Sequence, residues 1–413
     1  MPPRFQLDED DDPRGTAAFV KAPEGAYDAV YSPARRYLRR LVVDQVARET
    51  PLLARIQQRH RTPARDRLFV FAGMLGNHTF FMFALPFLHL FGLGLFARGL
   101  TCVVLWSIYF SGVVKDYISA PRPASPPVAQ ITNSPAHTLE YGFPSSHTTY
   151  VVATIVYISH FMLNVWGVSV LWAALLWATG LVIVAGRIYC GLHSFVDVAG
   201  GVVLGLAEAL AFIVLYAQLD AVLLSAGGPL AAVAILYSAL TAIPRSLDLC
   251  PCSVDSFCAT SVTLGVAVGA WIHARMPFLW HNGQPDQIAW DASLTLAQNA
   301  VRCAIVLGLI VVWKLTSKPA MVALVKLLLA GDDQPSPSDS PREDVVHTGG
   351  SAPCEQDGFP IPSPERVRTG RYGTHAIMAA HENLARIPIY AGIPLIIYTV
   401  SPVAFYYLGL LPS

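Results

Sequence analysis

Long apolar runs separated by short polar stretches dominate the chain from about residue 69 to its end. They lie at about 69–96, 99–118, 148–167, 169–187, 197–217, 222–243, 259–276, 299–317 and 386–411. A helix needs roughly 18–20 such residues to cross a hydrocarbon core about 30 Å thick. The pattern predicts an all-α, polytopic helical membrane protein with about eight or nine spans. Non-helical backbone between the spans must be shielded by protein or reach water. The first run carries Gly76, Asn77, His78 and Pro86, so it is expected to kink, as one tilted span or as a broken pair.

The segments outside the runs differ in character. Residues 1–27, opening with "DEDDDP" a few positions in, read as a disordered tail. Residues 28–67 alternate arginines with Leu, Val and Ile and read as a basic interfacial or cytosolic helix region. Arg35, Arg36, Arg39, Arg40, Arg59, Arg61, Arg65 and Arg67 place this segment in the cytosol by the positive-inside rule. The start lacks a signal-peptide pattern, so the first span is expected to act as the targeting signal. The expected organisation continues with a membrane core at 68–276 and an additional transmembrane region at 277–330. A mostly disordered loop at 331–385, marked by "DDQPSPSDSPRED", and a C-terminal span at 386–413 complete it.

Composition supports this reading. Hydrophobic residues make up 54% and charged residues 14% of the 413, where a soluble domain carries roughly 25% charged residues. Formal net charge is zero, and no nucleic-acid partner is expected. The bilayer itself is the expected surrounding, with protein partners unassigned. Seven cysteines include the cluster "CPCSVDSFC", with Cys250, Cys252 and Cys258. One residue, not two, separates the first pair and no histidine adjoins it, which favours free thiols or one local disulfide over a metal site.

Three polar clusters interrupt the apolar pattern, all at span ends. Lys115 closes the run 99–118, with Arg122 and Pro123 just beyond. Pro144, Ser145, Ser146 and His147 open the run 148–167, and Arg187 ends the run 169–187 before His193 and Asp197. Alternation of the spans puts all three on one membrane face. Guanidinium groups bind tetrahedral oxyanions bidentately and a lysine adds a compact charge. Helix N-terminal N–H groups add donors, so Lys115, Arg122, Ser145, Ser146 and Arg187 make a phosphate-shaped set. His193 and Asp197 are four apart, on one face of a helical turn. A carboxylate there can hold one imidazole nitrogen as a donor and leave the other to attack phosphorus. His147 is then placed to protonate the leaving alkoxide and later to activate water. Three cations already supply the charge a metal would, and Asp116, Glu140 and Asp197 are the only nearby carboxylates. No metal or other cofactor is expected.

Each residue also has a plain structural reading: snorkelling for Lys115 and Arg122, capping for Ser145 or Ser146, anchoring for Arg187, a helix-end hydrogen bond for His193 with Asp197. Their convergence on one face is what favours a site, because ionisable clusters at a membrane edge are functional by default.

Lys115-x6-Arg122-Pro123, Pro144-Ser145-Ser146-His147 and Arg187-x5-His193-x3-Asp197 resemble the three motifs of the type 2 phosphatidic acid phosphatase superfamily. Two positions depart from it: Ser146 stands where glycine usually precedes the histidine, and Gly186 where serine usually precedes the arginine. Ser146, "RHRTPARD" at 59–66, "GNHTFF" at 76–81 and "RIYCGLHSFVDVAGG" at 187–201 resemble the sphingoid-base phosphate phosphatase branch. That resemblance implies a nucleophilic His193, oriented by Asp197, with His147 as acid and base and the remaining five residues on the phosphate. It implies hydrolysis of dihydrosphingosine or sphingosine 1-phosphate in the endoplasmic reticulum at a lumen-facing site. A single span at 69–96 would instead put the site on the arginine-rich, cytosolic side. A broader phosphatase for phosphatidate or lysophosphatidate is the alternative enzyme reading. A non-catalytic lipid-phosphate transporter or scaffold is the alternative of another class. Glu140, Tyr141 and Tyr189 are candidate partners for the substrate ammonium.

Overall fold

The computed structural model describes residues 24–76, 78–132, 140–244, 246–248, 250–329, 355–356, 359–360 and 381–412. Most of the expected tail and of the 331–385 loop lies outside these residues. The helices are α1 (Glu24–Val30), α2 (Pro33–His60), α3 (Pro63–Leu75), α4 (His78–His89), α5 (Gly94–Ile118), α6 (Ser146–His160), α7 (Val170–Tyr189) and α8 (Phe195–Leu224). They are followed by α9 (Gly228–Ala242), α10 (Cys252–His273), α11 (Leu296–Leu329), α12 (His381–Leu395) and α13 (Ser401–Tyr407). Among the described residues the only ladder pairs Glu355–Gln356 with Phe359–Pro360.

Seven helices are long and apolar enough to cross a membrane: Gly94–Ile118, Ser146–Val165, Val170–Tyr189, Phe195–Leu224, Cys252–His273, Leu296–Val325 and Leu384–Tyr407. The shorter α9 is also apolar. The run at 69–96 is the broken pair: α3 and α4 have 13 and 12 residues, each about 18–20 Å long and too short to span alone. Their contacts trace one bent crossing. Thr62, capping α3, donates its N–H to the hydroxyl of Tyr189 at the end of α7. His89, ending α4, bonds Thr101 near the start of α5 and Tyr398. With α9 and this pair, the seven long helices make up the eight or nine spans expected.

Apolar side chains divide between lipid and core. Leu171, Trp172, Leu181, Val203 and Val214 project outward from α7 and α8, while Phe96, Val103, Tyr150, Val151 and Ile183 pack inside. Small residues set the close contact between α6 and α8. A Cβ on Gly201 would stand 2.7 Å from the Ser145 carbonyl oxygen, and one on Gly205 2.4 Å from that of Thr149. Only glycine at both positions lets α8 lie this close to α6, as at small-residue interfaces in membranes generally.

The basic helix α2 is bonded to a loop and to helix ends at the Lys115 end of the bundle. Gln57 Nε2 donates to the carbonyls of Ala129 and Tyr189 at 2.8 and 2.9 Å, and Gln57 Oε1 accepts from Ala129 N–H at 2.9 Å. Glu49 accepts the Val196 N–H at 3.0 Å, and Arg35 donates to the carbonyls of Asp116 and Tyr117 at 2.6 Å. The opposite end of α5 holds a buried pair: Arg98 donates to both carboxylate oxygens of Asp220 at 2.8 and 2.6 Å. Arg98 and Lys115 are therefore about 26 Å apart along one helix.

Candidate active site

Lys115 lies in the last turn of α5, where a cation complements the helix dipole, and is 1% exposed. Its Nζ donates to Glu140 Oε2 at 2.8 Å. Past the left-handed Ser119, which caps the helix, the chain brings in Arg122. The guanidinium of Arg122 donates from Nη1 to the Leu192 carbonyl at 2.6 Å and approaches His193 Nε2 at 3.0 Å. It also donates from Nη2 to Glu140 Oε2 at 3.2 Å and from Nε to the Glu140 carbonyl at 3.2 Å. One carboxylate oxygen thus bridges both cations. Burial lowers the Arg122 pKa from its ordinary value, and the Glu140 charge opposes that shift.

Ser145 caps α6, and its Oγ accepts from Thr148 N–H at 3.4 Å and from Thr148 Oγ1 at 3.0 Å. Its own N–H donates to the Asp197 carbonyl at 2.9 Å, tying the second cluster to the third. Ser146 and His147 occupy the first two positions of α6 and are partly buried. The His147 ring lies 5.3 Å from that of Tyr150.

Arg187 stands in the last turn of α7, buried, and its Nε has no hydrogen-bond partner among the described residues. Gly191, at φ +67°, turns the chain back; a Cβ there would meet Val128 at 2.4 Å and the Ala129 carbonyl at 2.6 Å. The turn lets the N–H groups of Leu192 and His193 donate to the Arg187 carbonyl at 3.2 and 3.3 Å. Ser194 then caps α8 in a capping box with Asp197.

His193 is 1% exposed. Burial first, then the charges of Arg122, Arg187, Lys115 and His147, hold its pKa well below the ordinary imidazole range. The ring is neutral, and its neighbours assign the tautomer. Arginine can only donate, so Nε2 is the acceptor and the proton sits on Nδ1, facing Asp197.

Here the geometry departs from the sequence expectation. Asp197 Oδ2 is 3.6 Å from His193 Nδ1, outside hydrogen-bond distance, and it accepts the Ser194 N–H at 2.8 Å instead. Capping competes for the same oxygen, because Ser194, which caps α8, directly follows His193 in the chain. The clusters of Lys115 with Arg122, Ser145 with His147, and Arg187 with His193 and Asp197 do meet at one end of the bundle.

The role of Glu140 as counter-ion to both cations, and of Gln57 as a clamp on the Ala129 and Tyr189 backbone, has no signal in the motifs. Tyr189 donates to Asp66 at 2.8 Å, and the Tyr141 hydroxyl is shared between Ser246 and Asp248 at 2.7 and 2.6 Å. Among the described residues, one cluster has metal-ligand proximity: Asp116, Cys250 and Cys252. Its two cysteines are joined in a disulfide and so are not available as thiolates, while Cys258 is a buried free thiol. This cluster does not include the residues around His193.

Residues 96–220, which contain all three clusters, match the PAP2 superfamily. The chain is 32% identical over 384 residues to "Dihydrosphingosine 1-phosphate phosphatase C823.11" of Schizosaccharomyces pombe, covering 90% of each chain. It is 31% identical over 382 residues to "Dihydrosphingosine 1-phosphate phosphatase YSR3" of Saccharomyces cerevisiae, covering 90% of this chain and 86% of that one. With human "Sphingosine-1-phosphate phosphatase 2" the identity is 29% over 213 residues, about half of each chain. No solved structure matches the chain. The match of residues 96–220 to the PAP2 superfamily, with relatives alike over 90% and 86% of their own length, leads to one conclusion: the chain belongs to the PAP2 superfamily, in the family of the dihydrosphingosine 1-phosphate phosphatases.

Proposed function

We propose that the protein hydrolyses long-chain-base 1-phosphates, dihydrosphingosine 1-phosphate and sphingosine 1-phosphate, through a phosphohistidine. The observation that carries this reading is the neutral His193 whose Nε2 lone pair points at Arg122, 3.0 Å away. A phosphoryl group held by Lys115, Arg122 and Arg187 would lie against that nitrogen. Ser145, Ser146 and the first N–H groups of α6 would donate to its remaining oxygens.

The reaction runs in two steps. His193 Nε2 bonds to phosphorus as the bond to the lipid oxygen breaks, and His147 delivers a proton to the departing alkoxide. Asp197 faces the Nδ1–H of the now cationic ring and stabilises its charge. Water then attacks the phosphohistidine while His147 takes its proton, and phosphate leaves with His193 restored. For Nε2 to attack, the Arg122 Nη1–H turns from that lone pair to a phosphoryl oxygen; the three cations then offset the charge on the phosphoryl oxygens, so no metal is required for the chemistry.

Purified protein incubated with dihydrosphingosine 1-phosphate in EDTA is expected to release phosphate at an undiminished rate. Absence of release would overturn the metal-free mechanism and the function together. His193→Ala is expected to abolish turnover, and a variant retaining near-normal rates would exclude His193 as nucleophile. Phosphatidate in parallel assays separates this reading from a broader lipid phosphatase.

The proposed location is the endoplasmic reticulum membrane, with the site on the lumenal side, as the family resemblance implies. Because α2 is bonded to the site ends of α7, α8 and α5 through Gln57, Glu49 and Arg35, a lumenal site carries α2 to the lumen with it. The arginine bias of that helix opposes this orientation.

A further inference from the structure

We propose that Asp116, Cys250 and Cys252 form a zinc site when the two cysteines are reduced, joining the end of α5 to the start of α10 behind Lys115. One carboxylate oxygen and the two sulfurs lie within 4.8 Å of one another, and the three residues are 0%, 7% and 4% exposed. Both carboxylate oxygens of Asp116 are buried and have no hydrogen-bond partner among the described residues. The charges that act on this carboxylate are those of Lys115, Arg35 and Asp255. Neither cation reaches it with a hydrogen bond: Lys115 Nζ donates to Glu140, and Arg35 donates to the Asp116 carbonyl. A carboxylate buried in this way is expected to pair with a cation or to coordinate a metal.

The Cys-x-Cys spacing does not by itself favour a metal, and the fold adds a third ligand from α5. Cys252 opens α10, where the helix dipole favours a thiolate. Its N–H donates to Cys250 Sγ at 3.4 Å, which favours the charged form of that sulfur. A disulfide joins the pair in this structure. A dithiol reductant supplies two electrons and two protons, the S–S bond breaks, and the reductant leaves as its own disulfide. The two thiols then lose their protons to water as the ion binds.

Two thiolates and a carboxylate suit the borderline-soft d10 ion Zn2+; the carboxylate disfavours Cu(I), and the thiolates disfavour Mg2+ and Ca2+. Tetrahedral geometry with Zn–S bonds of about 2.3 Å sets two sulfurs roughly 3.8 Å apart, within reach of Cα atoms 5.2 Å apart. Water takes the fourth position. Cys250 precedes α10 in the loop and is the most exposed of the three, so the ion enters from that side. Asp116 follows Lys115 in the chain, and Tyr141, which packs with both cysteines, follows Glu140. The ion therefore holds the wall behind the phosphate site and takes no part in bond making at His193.

The test uses full-length protein in detergent, reduced with a phosphine, freed of reductant and metal, and titrated with Zn2+. Bound ion per chain and melting temperature are measured. Reduced wild-type protein is expected to hold one Zn2+ per chain at this site and to melt higher with it, since the ion binds the folded chain. Asp116→Asn should weaken that binding by at least about 10- to 100-fold. The double variant Cys250→Ser with Cys252→Ser should lose it, as should oxidised wild-type protein. Absence of Zn2+ uptake by reduced wild-type protein overturns the proposal. So does uptake that is undiminished in the double variant or in the oxidised protein, or an Asp116→Asn affinity within about threefold of wild type. These readouts do not depend on phosphate release, so the phosphatase reading stands or falls separately.

Should Asp116→Asn not fold, X-ray absorption of Zn2+-loaded wild-type protein supplies a second measurement. It should show two sulfur ligands at about 2.3 Å and two oxygen ligands at about 2.0–2.2 Å. A shell without sulfur, or one completed by histidine nitrogen, overturns the site.

Discussion

His193 and Asp197 face each other across the first turn of α8 with Nδ1 and Oδ2 3.6 Å apart, and the same oxygen accepts the Ser194 N–H at 2.8 Å. One carboxylate therefore helps to cap a helix and faces the imidazole that immediately precedes the cap. Two substitutions separate these duties. Asp197→Asn keeps an acceptor for Ser194 but removes the charge, so kcat should fall on the order of 10²–10⁴-fold with little change in melting temperature. Asp197→Ala should lose activity to a similar degree and also about 1 kcal/mol of capping stability. Equal melting temperatures for the two variants would show that the box does not stabilise α8.

The buried imidazole has a consequence for stability against pH. Its folded pKa lies well below the ordinary 6.5, first because of burial and then because of Arg122. Below about pH 6.5 the unfolded chain binds a proton that the folded chain refuses, so stability present above that pH is lost as pH falls toward the folded value. The apo protein should melt progressively lower on acidification below about 6.5, and His193→Gln should flatten that slope. An unchanged slope in thermal melts of detergent-solubilised protein would contradict the buried, neutral ring.

Contact between α8 and α6 depends on Gly205, whose absent Cβ would stand 2.4 Å from the Thr149 carbonyl oxygen. Gly205→Leu should cost about 1–3 kcal/mol through overpacking against backbone that cannot yield. It should also move His193 away from the Ser145 end of α6 and lower kcat. Val203→Leu, on a side chain 69% exposed toward lipid, should leave melting temperature and phosphate release unaltered.

Arg98 and Asp220 pair inside the bundle far from the site, with side chains 2% and 9% exposed. Arg98 also faces Asp286 Oδ2 at 3.6 Å, so Asp220→Ala leaves the buried guanidinium with only that more distant carboxylate and should destabilise by up to about 3–5 kcal/mol. Arg98→Met combined with Asp220→Leu should recover much of that loss. Thermal melts of the single and double variants check this, and additive losses would argue against a coupled pair.

An N-terminal tag on intact microsomes tests the orientation. If the site is lumenal, the tag resists external protease until detergent is added, because α2 lies at the site end of the bundle. Digestion of the tag in sealed vesicles would place α2, and the site with it, in the cytosol.

Hydrophobic periodicity alone determined the all-α membrane class and the approximate spans, because crossing a bilayer demands apolar length and nothing else supplies it. The break between α3 and α4 was legible in Gly76, Asn77, His78 and Pro86, although its outcome as a single bent crossing was not. Span alternation likewise put Lys115, Ser145 and His193 at one end of the bundle. Two findings came only with the tertiary structure. Glu140 bridges Lys115 and Arg122, and Gln57 clamps a loop and a helix end 72 and 132 positions away in sequence. Neither residue belongs to a motif, since any loop carboxylate or helix amide has the same local appearance until folding sets its neighbours. The division of Asp197 between Ser194 and His193 was hidden for a related reason. The i,i+4 spacing of an imidazole and a carboxylate allows a hydrogen bond, but competing backbone donors at the helix start decide whether it forms.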